Sequence, residues 1–182
     1  MRRQVILTLI VTVGLTGLAS AVPLPEPQER IDPQLFAADL QTAVKAFDRL
    51  MRGGQADWDQ LITLLHRHPQ RYALLINNLQ PTDPAGYPGF TDYYHRKIEA
   101  SEEMARQSAR AWKEGFQIQP GAVISKLREP NFPSTRRIAI EYLKMENGGK
   151  ELGYDWSRSP SDNNQALLFW TSWYLDKGKR QP

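Results

Sequence analysis

Three carboxylates fall close together in the middle of this chain, Glu99, Glu102 and Glu103, with Arg96, Arg106 and Arg110 interleaved. Paired carboxylates can divide acid and base roles when burial separates their pKa values. The same spacing also makes a solvated charge ladder, because Glu102 and Arg106 stand in the favourable i to i+4 order on a helix. His66 and His68 come next, with His95 as the only other histidine. Residues two apart on a helix diverge by about 200° and cannot close on one ion, so metal carriage would need the helix to fray before Pro69. The competing reading has both imidazoles facing solvent at a helix C-terminus, where the helix dipole favours them.

Five Trp and seven Tyr make a heavy aromatic load, concentrated late in Tyr142, Tyr154, Trp156, Trp170, Trp173 and Tyr174. Trp156 lies in a loop expected from Lys150 to Asp162, beside Tyr154, Asp155 and Arg158. Aromatic rings on a loop stack on sugars or fill hot spots of protein interfaces. A second loop, Pro81 to Gly89, holds Pro81, Pro84, Gly86, Pro88 and Gly89, with Tyr87 inside it and Phe90 just beyond. The candidate binding residues are therefore Tyr87, Phe90, Tyr154, Trp156 and Arg158. The chain has no Gly-x-Ser-x-Gly, phosphate-loop, dinucleotide, His-Glu-x-x-His or calcium-loop pattern. No cofactor and no metal are expected. With no cysteine, thiol nucleophiles, disulfides, iron–sulfur clusters and thiolate zinc sites are excluded.

The run Lys97-Ile98-Glu99-Ala100-Ser101, followed by Gln107 and Trp112, resembles a helix of the secreted chorismate mutases, which are exported all-α proteins. The resemblance implies basic residues that hold two carboxylates and a Gln or Glu that meets an ether oxygen. The sequence departs from that pattern by placing Ala105 at the acceptor position and by lacking the upstream basic residues around Lys45 and Arg49.

The elements that would position these groups are all helical. Asp32-Pro33 reads as a cap and first turn, and Phe36, Leu40, Ala43, Phe47 and Leu50 recur by fours and threes up to Gly53-Gly54. Asp57 reads as the cap of a helix through Trp58, Leu61, Ile62 and Leu65, stopping near His68. Pro69 opens the next, through Tyr72, Leu75, Ile76 and Leu79. The longest helix is expected from Thr91 to about Gly115, with Tyr94, Ile98, Ser101, Ala105, Ala109, Trp112 and Phe116 along one stripe. A short helix from Gly121 to Arg128 follows, then one from Ser134 to Asn147. A last helix begins near Ser161 and, being apolar almost all round, is expected to be central. No stretch alternates with period two, so the expected fold is an all-α, single-domain bundle of six to seven helices.

That bundle is expected to follow an export signal. Met1-Arg2-Arg3, the uncharged run Val5 to Leu18 and Ala19-Ser20-Ala21 form the signal-peptide pattern, and the run is short of the roughly 20 residues of a membrane span. An uncleaved anchor is the alternative. The expected organisation is a signal peptide at 1–21, an extended tether at 22–31, a helical domain at 32–176 and a basic tail at 177–182. Cleavage would take Lys+Arg from 23 to 21 against 20 acids, a formal charge of +1 that disfavours nucleic-acid binding. The function expected from this pattern is a periplasmic or secreted, non-enzymatic protein that binds another envelope or secreted protein through its two loops. The alternative is a secreted helical enzyme, mutase-like or acting on cell-wall glycans, that uses one of the three clustered glutamates.

Overall fold

The computed structural model describes residues 31–80 and 86–180. The expected signal peptide, nearly all of the tether and residues 81–85 of the first loop lie outside the described residues. Among those described, every regular element is helical, and they form one bundle of eight α-helices with two short 3-10 turns.

Asp32 does cap a turn, but only the 3-10 turn Pro33–Phe36, and Phe36 is left exposed. The first α-helix, α1 (Leu40–Met51), starts at a separate cap, Asp39, whose carboxylate accepts from Thr42 N at 2.9 Å. α2 (Gln55–Arg67) begins after Gly54, which places Asp57 inside its first turn rather than at the cap. α3 (Pro69–Asn78) opens on Pro69, whose lack of an N–H costs nothing at the first helical position.

The expected long helix is two helices, α4 (Pro88–Ala100) and α5 (Glu102–Glu114), which accounts for the larger count. The break is Ser101, at φ −138° and ψ 121°. The Ser101 hydroxyl accepts from Met104 N at 3.3 Å, and Glu102 and Glu103 sit in the first turn, where the helix dipole favours anions. Ser101 was expected as a small stripe residue; it is a cap. α4 also starts at Pro88 rather than Thr91, which shortens the first loop.

α6 (Pro120–Lys126) and α7 (Pro133–Glu146) follow, and Gly148 and Gly149, at φ 64° and 81°, turn the chain after α7. The second 3-10 turn, Pro160–Asn163, leads into α8 (Asn164–Arg180). The segment expected to be a separate basic tail therefore begins within α8.

Two apolar clusters share the bundle. Leu35, Phe47, Leu61, Leu64, Tyr72 and Leu75 lead the first, from the first 3-10 turn to α3, with Phe90 and Tyr93 of α4. Ile98, Ala105, Ala109, Leu127, Ile138, Leu143 and Trp170 lead the second, from α4 to α8. Tyr94 and Met104 pack against both, so the α4–α5 pair is the spine between them. The break at Ser101 lets that pair change direction where the two cores meet.

α8 is not central. Ala166, Leu167 and Trp170 are buried, but Leu168 is 66%, Phe169 51% and Leu175 57% exposed. The helix packs mainly on α6 and the turn preceding it. An apolar composition buries a helix all round only where other elements surround it, and α8 lies at the edge. Among the described residues no helix is long and apolar enough to cross a membrane.

Candidate functional site

α7 supplies the footing for the loop that carries Tyr154, Trp156 and Arg158. Arg136, in its first turn, is only 2% exposed and has no carboxylate partner among the described residues. Its guanidinium is satisfied by carbonyls instead: Nε donates to Trp156 O at 3.1 Å, and the other nitrogens donate to Glu129 O at 2.7 Å, Pro130 O at 3.1 Å and Arg158 O at 3.2 Å. The fixed fork of Arg suits this task, since one planar group can reach two chain segments at once. Asn163 pins the other end of the loop, donating to Asp155 O at 2.8 Å and Ser159 O at 3.0 Å while accepting from Asp155 N at 2.8 Å.

Arg137, next to the buried Arg136, lies across the Trp156 ring at 4.6 Å from its centroid and donates to Ile98 O at 2.9 Å. Trp156 is half-buried, with one face occupied by this cation. The Tyr154 hydroxyl donates to Leu127 O, and burial raises its pKa. Arg158 is exposed and pairs with Asp155 at 3.1 Å. Hydrogen bonds from Ser157 hold the Asp155 carboxyl below its ordinary range. Beneath the loop, Glu141 of α7 is 6% exposed and bonds Lys144 at 2.9 Å. Burial pulls the Lys144 pKa down, but bonds to Glu151 and Glu141 outweigh it and leave the pKa raised. Glu141, Lys144, Arg137, Tyr154 and Trp156 line a cleft of about 270 Å³.

On its other side the loop borders α8. Leu152 and Lys150 join Phe169, Trp173, Lys177 and Glu146 around a broad groove of about 700 Å³. Lys177 holds Glu146 at 2.8 Å and lies over the Trp173 ring at 5.2 Å. Lys113 reaches the same carboxylate at 2.7 Å, and the two ammonium groups lower the Glu146 pKa. α5, α7 and α8 are thereby tied at one point. Leu168 and Leu175, seven apart, stand outward on one face of α8, and exposed Phe169, about 100° round the helix from Leu168, lines the groove.

The residues expected to act together divide between the two cores. Tyr87 packs against the first cluster; its hydroxyl donates to Asp48, and Arg52 covers its ring at 5.5 Å. Phe90 is buried and stacks on Tyr94 at 6.0 Å. Tyr154 packs against the second cluster. Glu99, Glu102 and Glu103 are all exposed, and Arg106 binds Glu102 and Glu103 in the ladder arrangement.

The three histidines lie in separate settings. His68 is exposed and edge-on to Phe36 at 4.9 Å, whereas His66 approaches Ser108 Oγ at 3.2 Å and His95 Nδ1 bonds Ser134 Oγ at 2.5 Å. Burial lowers the His95 pKa, against raising effects of Glu99 and Asp92. Ser134 is fully buried, so this Ser–His pair holds the start of α7 and cannot act as a nucleophile on an incoming substrate. Among the described residues no three His, Cys, Asp or Glu are placed to hold a metal ion. The groups that sequence reasoning passed over are Arg136, Glu141 and Asn163, polar residues buried in the second half of the chain. The only local signal for Arg136 is its position two residues before the apolar phase of α7 that begins at Ile138.

Comparison of the chain with protein-family models, with curated proteins and with solved structures finds no match.

Proposed function

We propose that this chain is an exported, non-enzymatic helical protein that binds another envelope or secreted protein through α8 and the loop from Lys150 to Asp162. The observation that carries this reading is the exposure of Leu168, Phe169 and Leu175 on α8, with Phe169 lining a groove together with Leu152 and Trp173. Large apolar side chains left out of water contact by nothing in the chain itself mark surfaces that a partner covers. Trp156 and Arg158, of types enriched at interface hot spots, lie on the same loop and extend the surface. The pinning of that loop by Arg136 and Asn163 also supports the reading, because a preordered surface loses less entropy on binding.

The enzyme alternative draws little support from its carboxylates: Glu99, Glu102 and Glu103 are exposed, and Glu102, which borders the 270 Å³ cleft beside Arg137 and Tyr154, is paired with Arg106. The test is site-specific photo-crosslinking in cells, with the reactive amino acid at position 169 or 156 and, as a control, at exposed position 128, which lines neither the groove nor the cleft beside the loop. A discrete protein adduct at 169 and 156, lost in Leu168→Asp/Leu175→Asp, is expected. Adducts only to lipid, or equal labelling from position 128, would overturn the reading, as would recovery of the chain solely from the cytosol.

A further inference from the structure

Where the end of α5 meets α7 and α8, one residue sits in an unfavourable backbone conformation. Gln117 has φ 51°, the one positive φ outside glycine among the described residues. That region is disfavoured for a residue with a Cβ and open to glycine. The backbone around it is held from both sides: Ile118 N donates back to Trp112 O at 3.2 Å, and the Tyr142 hydroxyl donates to Ile118 O at 2.6 Å. Such strain persists only where the surroundings enforce it, and it gathers at binding sites. Glycine would suit the turn better for stability alone; glutamine brings an amide.

That amide borders a cleft of about 530 Å³, within the range of cavities that take small molecules. Ile118, Gln119 and Pro120 continue its wall, and Lys113 of α5 and Tyr174 of α8 complete it. Gly121 leaves room for the phenol, since a methyl group there would meet the Tyr174 hydroxyl at 2.8 Å. On α8, Tyr174 and Trp173 flank the buried Trp170 on opposite sides, about 40° and 60° away. The cleft on the Tyr174 side is therefore distinct from the groove on the Trp173 side, although Lys177 and Glu146 border both.

The charged groups of the cleft are Lys113, Lys177 and Glu146, and both ammonium groups are bonded to the one carboxylate, at 2.7 and 2.8 Å. The groups left for a ligand are uncharged. Among the described residues the Gln117 amide and the Tyr174 hydroxyl make no hydrogen bond, and the Gln119 amide makes one long one, from Nε2 to Gln117 O at 3.5 Å. Amides and hydroxyls both donate and accept. A ligand rich in hydroxyl groups matches them in both senses, whereas an anion only accepts. The flat ring of Tyr174 and the ring of Pro120 supply apolar surface beside these groups.

We propose that this cleft binds an uncharged saccharide unit, with the Gln117 and Gln119 amides and the Tyr174 hydroxyl on its hydroxyl groups and its C–H face on Pro120 and the Tyr174 ring. The amide explains why glutamine is kept at a position that favours glycine, as binding sites are commonly held at some cost in stability. The site does not rest on the protein partner proposed for α8.

The experiment is calorimetric and saturation-transfer NMR titration of the full chain with N-acetylglucosamine, glucose and maltose, with glutarate as the anionic control. Saturable one-to-one binding of at least one of the three sugars is expected, with no displacement by glutarate. Gln117→Gly should weaken sugar binding about tenfold while its Tm stays at or above that of wild type, because the left-handed turn is relaxed. Tyr174→Phe, which keeps the ring, should weaken binding about fivefold or more. Leu168→Asp/Leu175→Asp, on the exposed face of α8, should leave it intact. Absence of saturable binding by all three sugars, or tighter binding of glutarate, would overturn the proposal. So would sugar binding that Gln117→Gly and Tyr174→Phe leave unchanged, or a fall in Tm in Gln117→Gly, which would show that glutamine is there for the fold.

Discussion

Replacing Arg136 by Gln removes a group that joins the turn at Glu129–Pro130 to the loop at Trp156–Arg158. Four carbonyls lose a charged donor. Pro130 and Arg158 are exposed, so water takes over at those two. Glu129 and Trp156 are half-buried, and each carbonyl left short of a donor costs about 1–3 kcal/mol. A net loss of about 3 kcal/mol follows, which in a chain of this length is a fall of about 6–12 °C in Tm. Arg136→Lys keeps the charge but a single ammonium cannot span both segments, so it should recover less than half of the loss. The assay is thermal unfolding by circular dichroism, paired with limited trypsin digestion. The loop has Lys150 and Arg158 as cleavage sites, and these should become the first cuts in the variants. A Tm within about 1 °C of wild type, together with an unchanged digestion pattern, would refute the claim that Arg136 holds the loop.

Other expectations follow from single contacts. Because Lys113 and Lys177 lower the pKa of Glu146, their pairing is fully present above its ordinary value of 4.5 and is lost as pH falls through the lower folded value; Glu146→Gln should flatten the acid limb of the Tm–pH curve. Ser101→Ala removes the cap between α4 and α5 and should cost about 1 kcal/mol in urea unfolding. A methyl group at Gly115 would meet Pro69 O at 2.5 Å, a backbone atom, so Gly115→Ala should cost about 1–3 kcal/mol. At Gly121 the same methyl group meets the Tyr174 hydroxyl at 2.8 Å, the movable tip of a part-exposed side chain, so Gly121→Ala should stay within about 0.5 kcal/mol. Equal losses in the two glycine variants would contradict this account of the α3–α5 approach.

Much of the helical plan was legible along the chain. Pro69, Pro120 and Gly148-Gly149 fall at observed boundaries, because proline and glycine act through their own backbone geometry and need no neighbours to do so. The break at Ser101 was misread because a small residue in an apolar stripe and a helix cap are the same residue type. The hydroxyl caps only once the backbone has turned. Of the candidate site residues, Trp156 and Arg158 were visible as aromatic and basic groups on a Gly/Ser/Pro-rich loop. Phe90, read with them, is instead stacked on Tyr94 in the core.

The sequence alone determined the helical class and the positions of most turns, because periodicity and the stereochemistry of proline, glycine and capping residues are local properties. It also determined what chemistry is absent, since no fold can supply a thiol the chain lacks. Only the tertiary structure decided which apolar face stays outside. α8 reads as a buried helix, and whether Leu168, Phe169 and Leu175 meet water depends on how many other helices surround it, which no stretch of its own residues encodes. The same holds for Arg136, whose role is set by the carbonyls that folding brings from elsewhere.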